Sequence, residues 1–295
     1  MEVVLPPIVD PVGEALQFLR ISGTFYCLSE FTAPWSLDVP PINRSLMLHV
    51  VTSGRCWVET KGRTPRLVQT GDLALVPHGD GHVMSSEPGL PAVKLFDLPR
   101  VQASERYEHV RMGGGGEPSN LICSLFQFDH PAAHHLIELL PHLIVVNACN
   151  SPHADWVLST LRLMETEARE LRPGSETVIT RLADILVIHA VRCWIEQEPS
   201  AQTGWLGALR DPQIGRIIAR IHRQPELAWT LETLAAEAAM SRSAFAARFT
   251  ELLGEPAMHY VARWRMLTGL SWLREGDATV GEIALRLNYE SEAAF

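Results

Sequence analysis

Short apolar stretches separated by turn-forming residues occupy the chain from about residue 18 to residue 128. LMLHVV (46–51), CWVET (56–60) and LICSLFQF (121–128) have the length of strands and contain many β-branched side chains. Pro, Gly and Asn recur between such stretches, and their spacing shows no helical stripe. This pattern is typical of an antiparallel β-sandwich or barrel.

After Pro131 the apolar period becomes that of helices. Ser151 and Pro152 predict the start of one helix, which ends before Gly174. A second helix, from Val178 to Ile195, is apolar over much of its circumference, so one of its faces can cover the sheet. The other face is either buried within the same domain or forms a homodimer interface, and the dimer is the preferred interpretation.

A polar segment with a proline, EPSAQTG (198–204), separates this helical hairpin from a wholly helical remainder that begins at Asp211-Pro212. The predicted fold class is α+β, mainly β and then all-α. We expect a β-domain at 1–150, a helical hairpin that dimerises at 151–198, a linker at 199–210 and an all-α domain at 211–295.

The stretch LETLAAEAAMSRSAFAARF (231–249) changes character in its middle. Ser241 is a better helix cap than an interior residue, and Phe245 and Phe249, four positions apart, are expected to point inward. Two short helices with a tight turn, the geometry that enters the DNA major groove, explain this pattern better than one continuous helix. The residues predicted to face DNA are Arg242, Ser243, Ala246, Ala247 and Arg248.

A second stretch, TVGEIALRLNYESEAAF (279–295), repeats the scheme, with AMHYVARWRMLTGLSWLRE (257–275) as a long helix between the copies. Ser291 is again a predicted cap, and Glu292 and Ala293 follow it on the side expected to face DNA. Two such units fixed by a rigid helix could face successive major-groove segments, about 34 Å apart on B-DNA.

The formal charge of −9 is distributed unevenly along the chain. From Gly204 onward there are ten arginines, no lysine and eleven acidic residues, whereas the preceding part has fifteen basic and twenty-three acidic residues. The acidity therefore belongs to the front of the chain. A basic face on the rear part is compatible with these totals.

The number and spacing of the cysteines and the first ten residues indicate the cellular compartment of the protein. The five cysteines are odd in number and form no CxxC motif, which indicates reduced thiols. The start MEVVLPPIVD lacks the basic end and apolar run of a signal peptide, and no apolar stretch has the length of a membrane span. We therefore expect a cytoplasmic protein with no membrane partner.

The arrangement LAAEAAMSRSAFAARF, YVARWRMLTGLSWL and IALRLNYESEAAF closely resembles the AraC/XylS family of bacterial transcription regulators, over residues 211–295. The resemblance implies promoter DNA, a small-molecule effector and a second copy of the chain as partners, and RNA polymerase as a further one. Ala239 and Asn288 stand at turn positions often held by glycine. The chain ends at Phe295, inside the second recognition helix, so the resemblance predicts that this unit is incomplete.

The stretch GDLALVPHGDGH (71–82) resembles the second motif of the cupin superfamily, in which the histidine, here His82, is often a metal ligand inside a β-barrel. The region of the first cupin motif reads PPINRSLM (40–47) and supplies no ligand. His49 lies just beyond it, and strand alternation would also point it inward. The resemblance therefore implies a cupin-like sensing barrel.

Three interpretations of these histidines remain open. His49, His82 and Cys56 could hold zinc, His49, His82 and His78 could contact an organic effector, or each ring could only satisfy hydrogen bonds in the core. The preferred function is a sequence-specific DNA-binding regulator that senses an effector or a metal, and that is not an enzyme. The alternative is a metal-dependent cupin enzyme, a dioxygenase or an isomerase. The missing H-x-H pair and the lack of a carboxylate pair argue against it.

Overall fold

The computed structural model describes residues 10–16, 19, 21–128, 131–147, 154–170, 172–198, 204–276 and 278–295. The predicted helix start at Ser151-Pro152 lies outside the described residues. The described residues belong to two compact units. A β-rich unit comprises those within 20–129 and 136–194, and a helical unit comprises those within 1–19, 130–135 and 195–295.

Twelve strands are present in the described part of the chain. They are β1 (Ile21–Thr32), β2 (Ser36–Val39), β3 (Ser45–Ser53), β4 (Arg55–Thr60), β5 (Arg66–Gln69), β6 (Leu73–Val76), β7 (His82–Ser85), β8 (Val93–Lys94), β9 (Arg100–Ser104), β10 (Tyr107–Gly113), β11 (Pro118–Phe128) and β12 (Ile144–Val146).

These strands form two sheets. Sheet A has seven strands in the order β12-β6-β3-β11-β1-β10-β9, and sheet B has five in the order β5-β4-β7-β2-β8. The prediction of purely antiparallel pairing is wrong at two places, because β1 pairs with β10 and β2 with β8 in parallel. Among the described strands none belongs to both sheets, so backbone hydrogen bonds do not close a barrel.

The apolar core of the β-rich unit contains side chains from both sheets. Met47 and Val51 of β3, together with Val58 of β4 and Met84 of β7, are buried in one cluster. These positions alternate along their strands with residues that face the other way, as period-two patterning requires. The predicted fold class, α+β with the β-part first, is confirmed by this unit and the helical unit after it.

After β11 the chain forms three helices before the predicted linker: α2 (Pro131–Glu138), α3 (Ala154–Glu170) and α4 (Ser175–Gln197). On α4 one face is buried, including Ala183 and Leu186. Its opposite face leaves Val178 and Ile185 exposed at 36% and 44%. The apolar surface predicted for this helix is therefore buried on one face of α4 and exposed to solvent on the other.

The remaining helices are α1 (Pro11–Leu16), α5 (Gly204–Arg210), α6 (Ile214–Arg223), α7 (Leu231–Glu237), α8 (Arg242–Leu253), α9 (Ala257–Glu275) and α10 (Val280–Arg286). The predicted linker at 199–210 is wrong from Gly204 onward, where α5 forms. Trp205 of α5 is buried and donates a hydrogen bond from Nε1 to the Tyr260 hydroxyl of α9 at 2.8 Å. Such long-range packing stabilises a segment that is too short to show a helical period.

Local sequence signals explain several helix ends in the helical unit. Thr230 before α7 and Thr279 before α10 each form a capping box with the residue three positions on. Gly254 and Gly276 end α8 and α9 in the left-handed conformation, which costs glycine little. None of the helices in the described part of the chain has the length and apolar character that a membrane crossing requires.

Candidate functional site

Helices α7 and α8 form the first helix-turn-helix where the sequence predicts it. Ser241 is extended and its hydroxyl accepts a hydrogen bond from the Ala244 backbone at 3.2 Å, so it caps α8. Phe245 and Phe249 of α8 are fully buried. The two rings hold α8 against the core, and the first turn of α8 remains open to solvent.

The turn before each second helix is left-handed. Ala239 has φ of 54° and Asn288 has φ of 64°, at the two positions where the family often has glycine. A side chain with a Cβ is strained there, and asparagine tolerates the strain better than alanine. The same backbone geometry in both copies is the structural counterpart of the repeat in the sequence.

The exposed face of α8 carries the residues predicted to meet DNA. Arg242, Ser243 and Ala247 are exposed and Ala246 is half-buried. The guanidinium of Arg242 lies 2.7 Å from Glu232 of α7, and both side chains are largely exposed. Because an exposed ion pair of this kind is weak, Arg242 remains available to a phosphate.

Arg248 is exposed on α8, and its guanidinium is paired with carboxylates of the protein. Its Nη2 lies 3.0 Å from the Asp211 carboxylate, and Nη1 lies 3.5 Å from Glu251. The other oxygen of Asp211 accepts hydrogen bonds from Gln213 and Ile214 at the start of α6. Arg248 therefore fixes α8 to α6, and this contact competes with any contact to DNA.

The second helix-turn-helix consists of α10 and a single turn after it. Ser291 accepts a hydrogen bond from the Ala294 backbone at 3.3 Å, as a cap does, and Glu292 and Ala293 are exposed. The Phe295 ring packs edge-on against Tyr289, with centroids 5.2 Å apart. The residues predicted to face DNA in this copy thus lie exposed in the turn that follows α10.

Arg265 of α9 joins the two helix-turn-helix units, a role that its sequence motif does not reveal. It is 9% exposed and donates to the Pro225 and Leu227 carbonyls at 2.8 and 2.7 Å. Its guanidinium also lies 5.5 Å from the centre of the Tyr289 ring. Arg265 therefore connects the loop before α7 with the turn after α10.

In the β-rich unit, His49 and His82 lie together between the two sheets. His49 stands on β3 of sheet A and His82 on β7 of sheet B, and both are 3% exposed. Their Nε2 atoms are 2.8 Å apart. Both rings therefore lie in the interior, as strand parity predicts for His49 and the cupin-like motif for His82.

The hydrogen bonds of this pair determine its tautomers. Nδ1 of His82 is 3.0 Å from the Asp80 carbonyl, which can only accept, so this nitrogen carries a proton. Burial lowers the pKa of His82, and lowers that of His49 well below its ordinary value with help from the neighbouring ring. Both rings are therefore neutral. Nε2 of His82 must accept, and Nε2 of His49 must donate to it.

This arrangement leaves Nδ1 of His49 as an unprotonated acceptor. That atom is buried and has no hydrogen-bond partner among the described residues. A buried acceptor without a partner is costly, and such atoms concentrate at functional sites. Sequence patterning gives the direction of the ring but not the tautomer.

The predicted metal triad of His49, His82 and Cys56 is not assembled. The described residues contain no cluster of three or more His, Cys, Asp or Glu side chains able to hold a metal ion. The two histidines use their facing nitrogens to bind each other, and burial raises the pKa of the Cys56 thiol to about 12, which disfavours the thiolate that zinc requires. The residues present do not fit a cupin-type metal.

His78 also lies apart from the pair. Its Nε2 donates to the Leu140 carbonyl at 2.8 Å, and its ring centroid is 5.0 Å from that of His142. His78 does not line the cavity that His49 lines. The prediction of one site containing all three histidines is therefore wrong for His78. His82 does not line this cavity either, although it is hydrogen-bonded to His49, which does.

A cavity of about 240 Å³ lies against His49, with walls from both sheets. His49, Cys123 and Cys27 form a row of directly paired positions across β3, β11 and β1 on its wall. Arg100 and Glu108 also line it, 3.4 Å apart as an ion pair. No pattern along the sequence points to this pair, because it depends on the pairing of β9 with β10.

Comparison with known proteins assigns both units. A profile described as Cupin matches residues 10–196, and a profile described as Helix-turn-helix domain matches residues 234–295. A putative AraC-like transcription regulator of Streptomyces lividans is 30% identical over 289 residues, covering 97% of this chain and 92% of the relative. The HTH-type transcriptional regulator AlkR of Acinetobacter baylyi is 28% identical, covering 97% and 94%.

A solved structure of ToxT from Vibrio cholerae, with an unsaturated fatty acid bound, is similar at a TM-score of 0.35 and 9% identity. The similarity covers 93% of this chain and 89% of that one. The nearly full-length similarity to AraC-like regulators and the two profiles agree with the order of domains that the sequence predicts. The chain belongs to the AraC family of transcription regulators, with a cupin domain before its helix-turn-helix domain.

Proposed function

We propose that this regulator binds promoter DNA as a homodimer through α8, and that a small molecule in the cavity of the β-rich unit changes this binding. The observation that carries the DNA-binding part is the open first turn of α8. Ser241 caps the helix, the two phenylalanines below it are buried, and Arg242 and Ser243 are exposed. A capped helix start with an exposed basic side chain favours a phosphate close to the groove.

Base reading by α8 is expected to be shallow. Ser243, Ala246 and Ala247 offer one hydroxyl and methyl groups, which provide few hydrogen bonds to base edges. Affinity should therefore depend mainly on contacts to phosphates, with Arg242 as the principal basic side chain. Ser291, Glu292 and Ala293 are assigned to the second contact, where Glu292 limits its strength by repelling phosphate.

The open face of α4 supports the homodimer. Val178 and Ile185 are exposed on it, and Leu182 and Ile188 extend the same stripe as half-buried residues. Apolar stripes of this kind on a regulator need a cover, and a second copy of α4 supplies a matching one. An effector that favours one state of the β-rich unit then changes DNA affinity by linkage.

The remaining partners follow from this role. A regulator that binds promoter DNA acts in the bacterial cytoplasm. RNA polymerase is a further proposed partner, because it binds the same promoters. Enzymatic activity is not part of the proposal, because the relatives of this chain are transcription regulators.

The test is a binding titration of the chain on a promoter fragment at several salt concentrations. Arg242→Ala should weaken binding on every sequence and reduce the slope of log affinity against log salt by about one unit, since one phosphate contact is lost. Arg63→Ala removes the same charge from an exposed turn of the β-rich unit and serves as the matched control. Equal slopes for the two variants would contradict the assignment of α8.

A further inference from the structure

We propose that the cavity of the β-rich unit binds an amphiphilic cation, a protonated amine on a small hydrocarbon body, whose charge replaces the guanidinium of Arg100 beside Glu108. This inference rests on the proposed effector role of the cavity and specifies the chemical class of the effector. It follows from the positions of the two charged side chains, their unequal exposure, the long distance between them and the size of the cavity.

The first step concerns the side chain of Glu108, which points into the cavity. Glu108 lies on the same face of β10 as Val110, which is buried in the core and also lines the cavity. Burial raises the pKa of the Cys27 thiol, at the directly paired position of β1, to about 11, and the nearby charge of Glu108 adds to that shift. The side chain of Glu108 is 15% exposed, so it has surface that a ligand in the cavity can contact.

The second step concerns Arg100, which stands at the open edge of the same cavity. Among the described strands of sheet A, β9 is the outermost on one side, and its residues 100–103 are exposed. Arg100 is paired with Val110 of β10, so its side chain is on the cavity side of the sheet. Its guanidinium carbon lies 5.4 Å from the centre of the Phe96 ring, which is 59% exposed. Arg100 can therefore turn out into water without disturbing the core.

The third step concerns the kind of site that these side chains form. A carboxylate, an aromatic face and apolar walls are the surroundings that bind an organic ammonium group, and Glu108 and Phe96 supply the first two. Nη1 of Arg100 lies 3.4 Å from each oxygen of Glu108, which is long for a hydrogen bond. A ligand ammonium at the usual distance of about 2.8 Å makes a stronger bond, while Arg100 regains water.

The fourth step concerns the sign of the ligand charge. The side chain of Arg100 is 35% exposed and that of Glu108 is 15% exposed. A cationic ligand keeps the less exposed group paired and releases the more exposed one. An anionic ligand would take Arg100 and leave the carboxylate of Glu108 unpaired beside the neutral Cys27 thiol, which costs more.

The fifth step concerns size. An engineered apolar cavity of about 150 Å³ binds benzene, and by that scale the volume of about 240 Å³ accommodates about ten non-hydrogen atoms. Most of the wall is apolar, with Met47 and Leu125 from sheet A and Leu37 and Met84 from sheet B. The body of the ligand is therefore a small hydrocarbon skeleton, such as one aromatic ring on a short alkyl chain.

The experiment compares three probes that share this skeleton, titrated calorimetrically at neutral pH into the full 295-residue chain. They are 3-phenylpropylamine, which is a cation, 3-phenylpropan-1-ol, which is neutral, and 3-phenylpropanoate, which is an anion. The amine should bind about tenfold more tightly than the alcohol, because its hydrogen bond to Glu108 is assisted by charge on both partners. The propanoate should bind most weakly.

Three variants identify the groups involved. Glu108→Gln keeps the shape of the side chain without its charge, so the amine and the alcohol should bind it equally. Arg100→Gln removes the competing cation, so the amine should bind it more tightly than it binds the unaltered chain. Glu59→Gln removes a carboxylate from the exposed face of β4 and serves as the matched control, with the preference for the amine retained.

Carbon-detected NMR spectra of the unaltered chain add a measurement without mutation. The resonance of the Glu108 carboxyl carbon should shift when the amine saturates the cavity and should shift less with the alcohol. If Glu108→Gln binds none of the probes, this resonance decides, and equal shifts with the two probes would overturn the inference.

The other outcomes separate this inference from the proposed function. Alcohol binding as tight as amine binding, tighter binding of the propanoate, no binding of any probe, or weaker amine binding by Arg100→Gln would overturn the inference, even if the chain still binds promoter DNA. A preference for the amine that persists in Glu108→Gln would do so as well. Failure of the chain to bind promoter DNA would overturn the proposed function, and a measured preference for the amine would still support the assignment of the cavity.

Discussion

Nε2 of His49 lies 2.8 Å from Nε2 of His82, and the two rings meet edge to face between sheets A and B. The bond joins residues that are 33 positions apart in the chain and that belong to different sheets. It links the two sheets through a hydrogen bond between neutral rings, and protonation of both rings would leave no acceptor for it.

This pair predicts a pH dependence of the stability of the β-rich unit. The pKa of each ring in the folded chain is below the ordinary value of 6.5, so below that pH the unfolded chain binds more protons than the folded one. The free energy of unfolding should therefore fall as pH falls through about 6.5, by up to about 1.4 kcal/mol per pH unit for each histidine.

The measurement is urea unfolding between about pH 7.5 and about pH 5.5, since titration is centred there. The double variant His49→Phe/His82→Leu retains all other histidines and should show a shallower dependence. If the curves of the two proteins are parallel, protonation of the pair does not contribute to stability.

The left-handed turn at Ala239 predicts a stabilising substitution. Ala239→Gly removes strain of about 1 kcal/mol or slightly more but adds freedom to the unfolded chain, so the net gain should be about 0.5 kcal/mol. Asn288→Gly should gain less, because asparagine tolerates the left-handed region. Thermal unfolding measures both, and a larger gain at Asn288 would contradict the strain argument.

The exposed stripe on α4 predicts the oligomeric state. Ile185→Glu should convert the proposed dimer to monomers in analytical ultracentrifugation, because it places a charge within the apolar stripe. Val101→Glu changes an even more exposed aliphatic residue, 69% exposed on β9, and should leave the dimer intact. Dissociation by both variants, or by neither, would argue against α4 as the interface.

Replacing Arg265 is expected to destabilise the helical unit. Arg265→Ala leaves the Pro225 and Leu227 carbonyls without their donor and should lower the free energy of unfolding by about 2–4 kcal/mol. Arg263→Ala removes a neighbouring, less buried arginine that bonds Glu255, and should cost less. If chemical denaturation shows that both variants lose the same free energy of unfolding, the buried hydrogen bonds of Arg265 do not explain its contribution to stability.

Local signals account for most of what the sequence predicts correctly. Ser241 and the spacing of Phe245 and Phe249 specify the first helix-turn-helix, because capping and helical period act within a few residues. Strand alternation likewise predicts that His49 faces the interior. These features depend on neighbours in the chain and are visible without a structure.

The features that the sequence does not reveal depend on distant neighbours. Strand parity gives the face on which Cys56 lies but not its position along the interior, so it cannot decide whether Cys56 reaches the histidines. Helix α5 is stabilised by the contact of Trp205 with Tyr260, 55 positions away. Arg248 is basic and exposed enough to suggest a DNA contact, and only the fold shows its bond to Asp211.

The two oxygens of Asp211 have a consequence for how quickly and selectively promoter DNA is engaged. One oxygen accepts hydrogen bonds at the first turn of α6 and the other is paired with Arg248 of α8, so Asp211 links α8 to the start of α6. A preorganised helix loses little conformational freedom on docking, and wrong sequences cannot recruit it by induced adjustment. In the proposed function, the small side chains of α8 would therefore be presented to DNA at an angle that the contact with α6 helps to set.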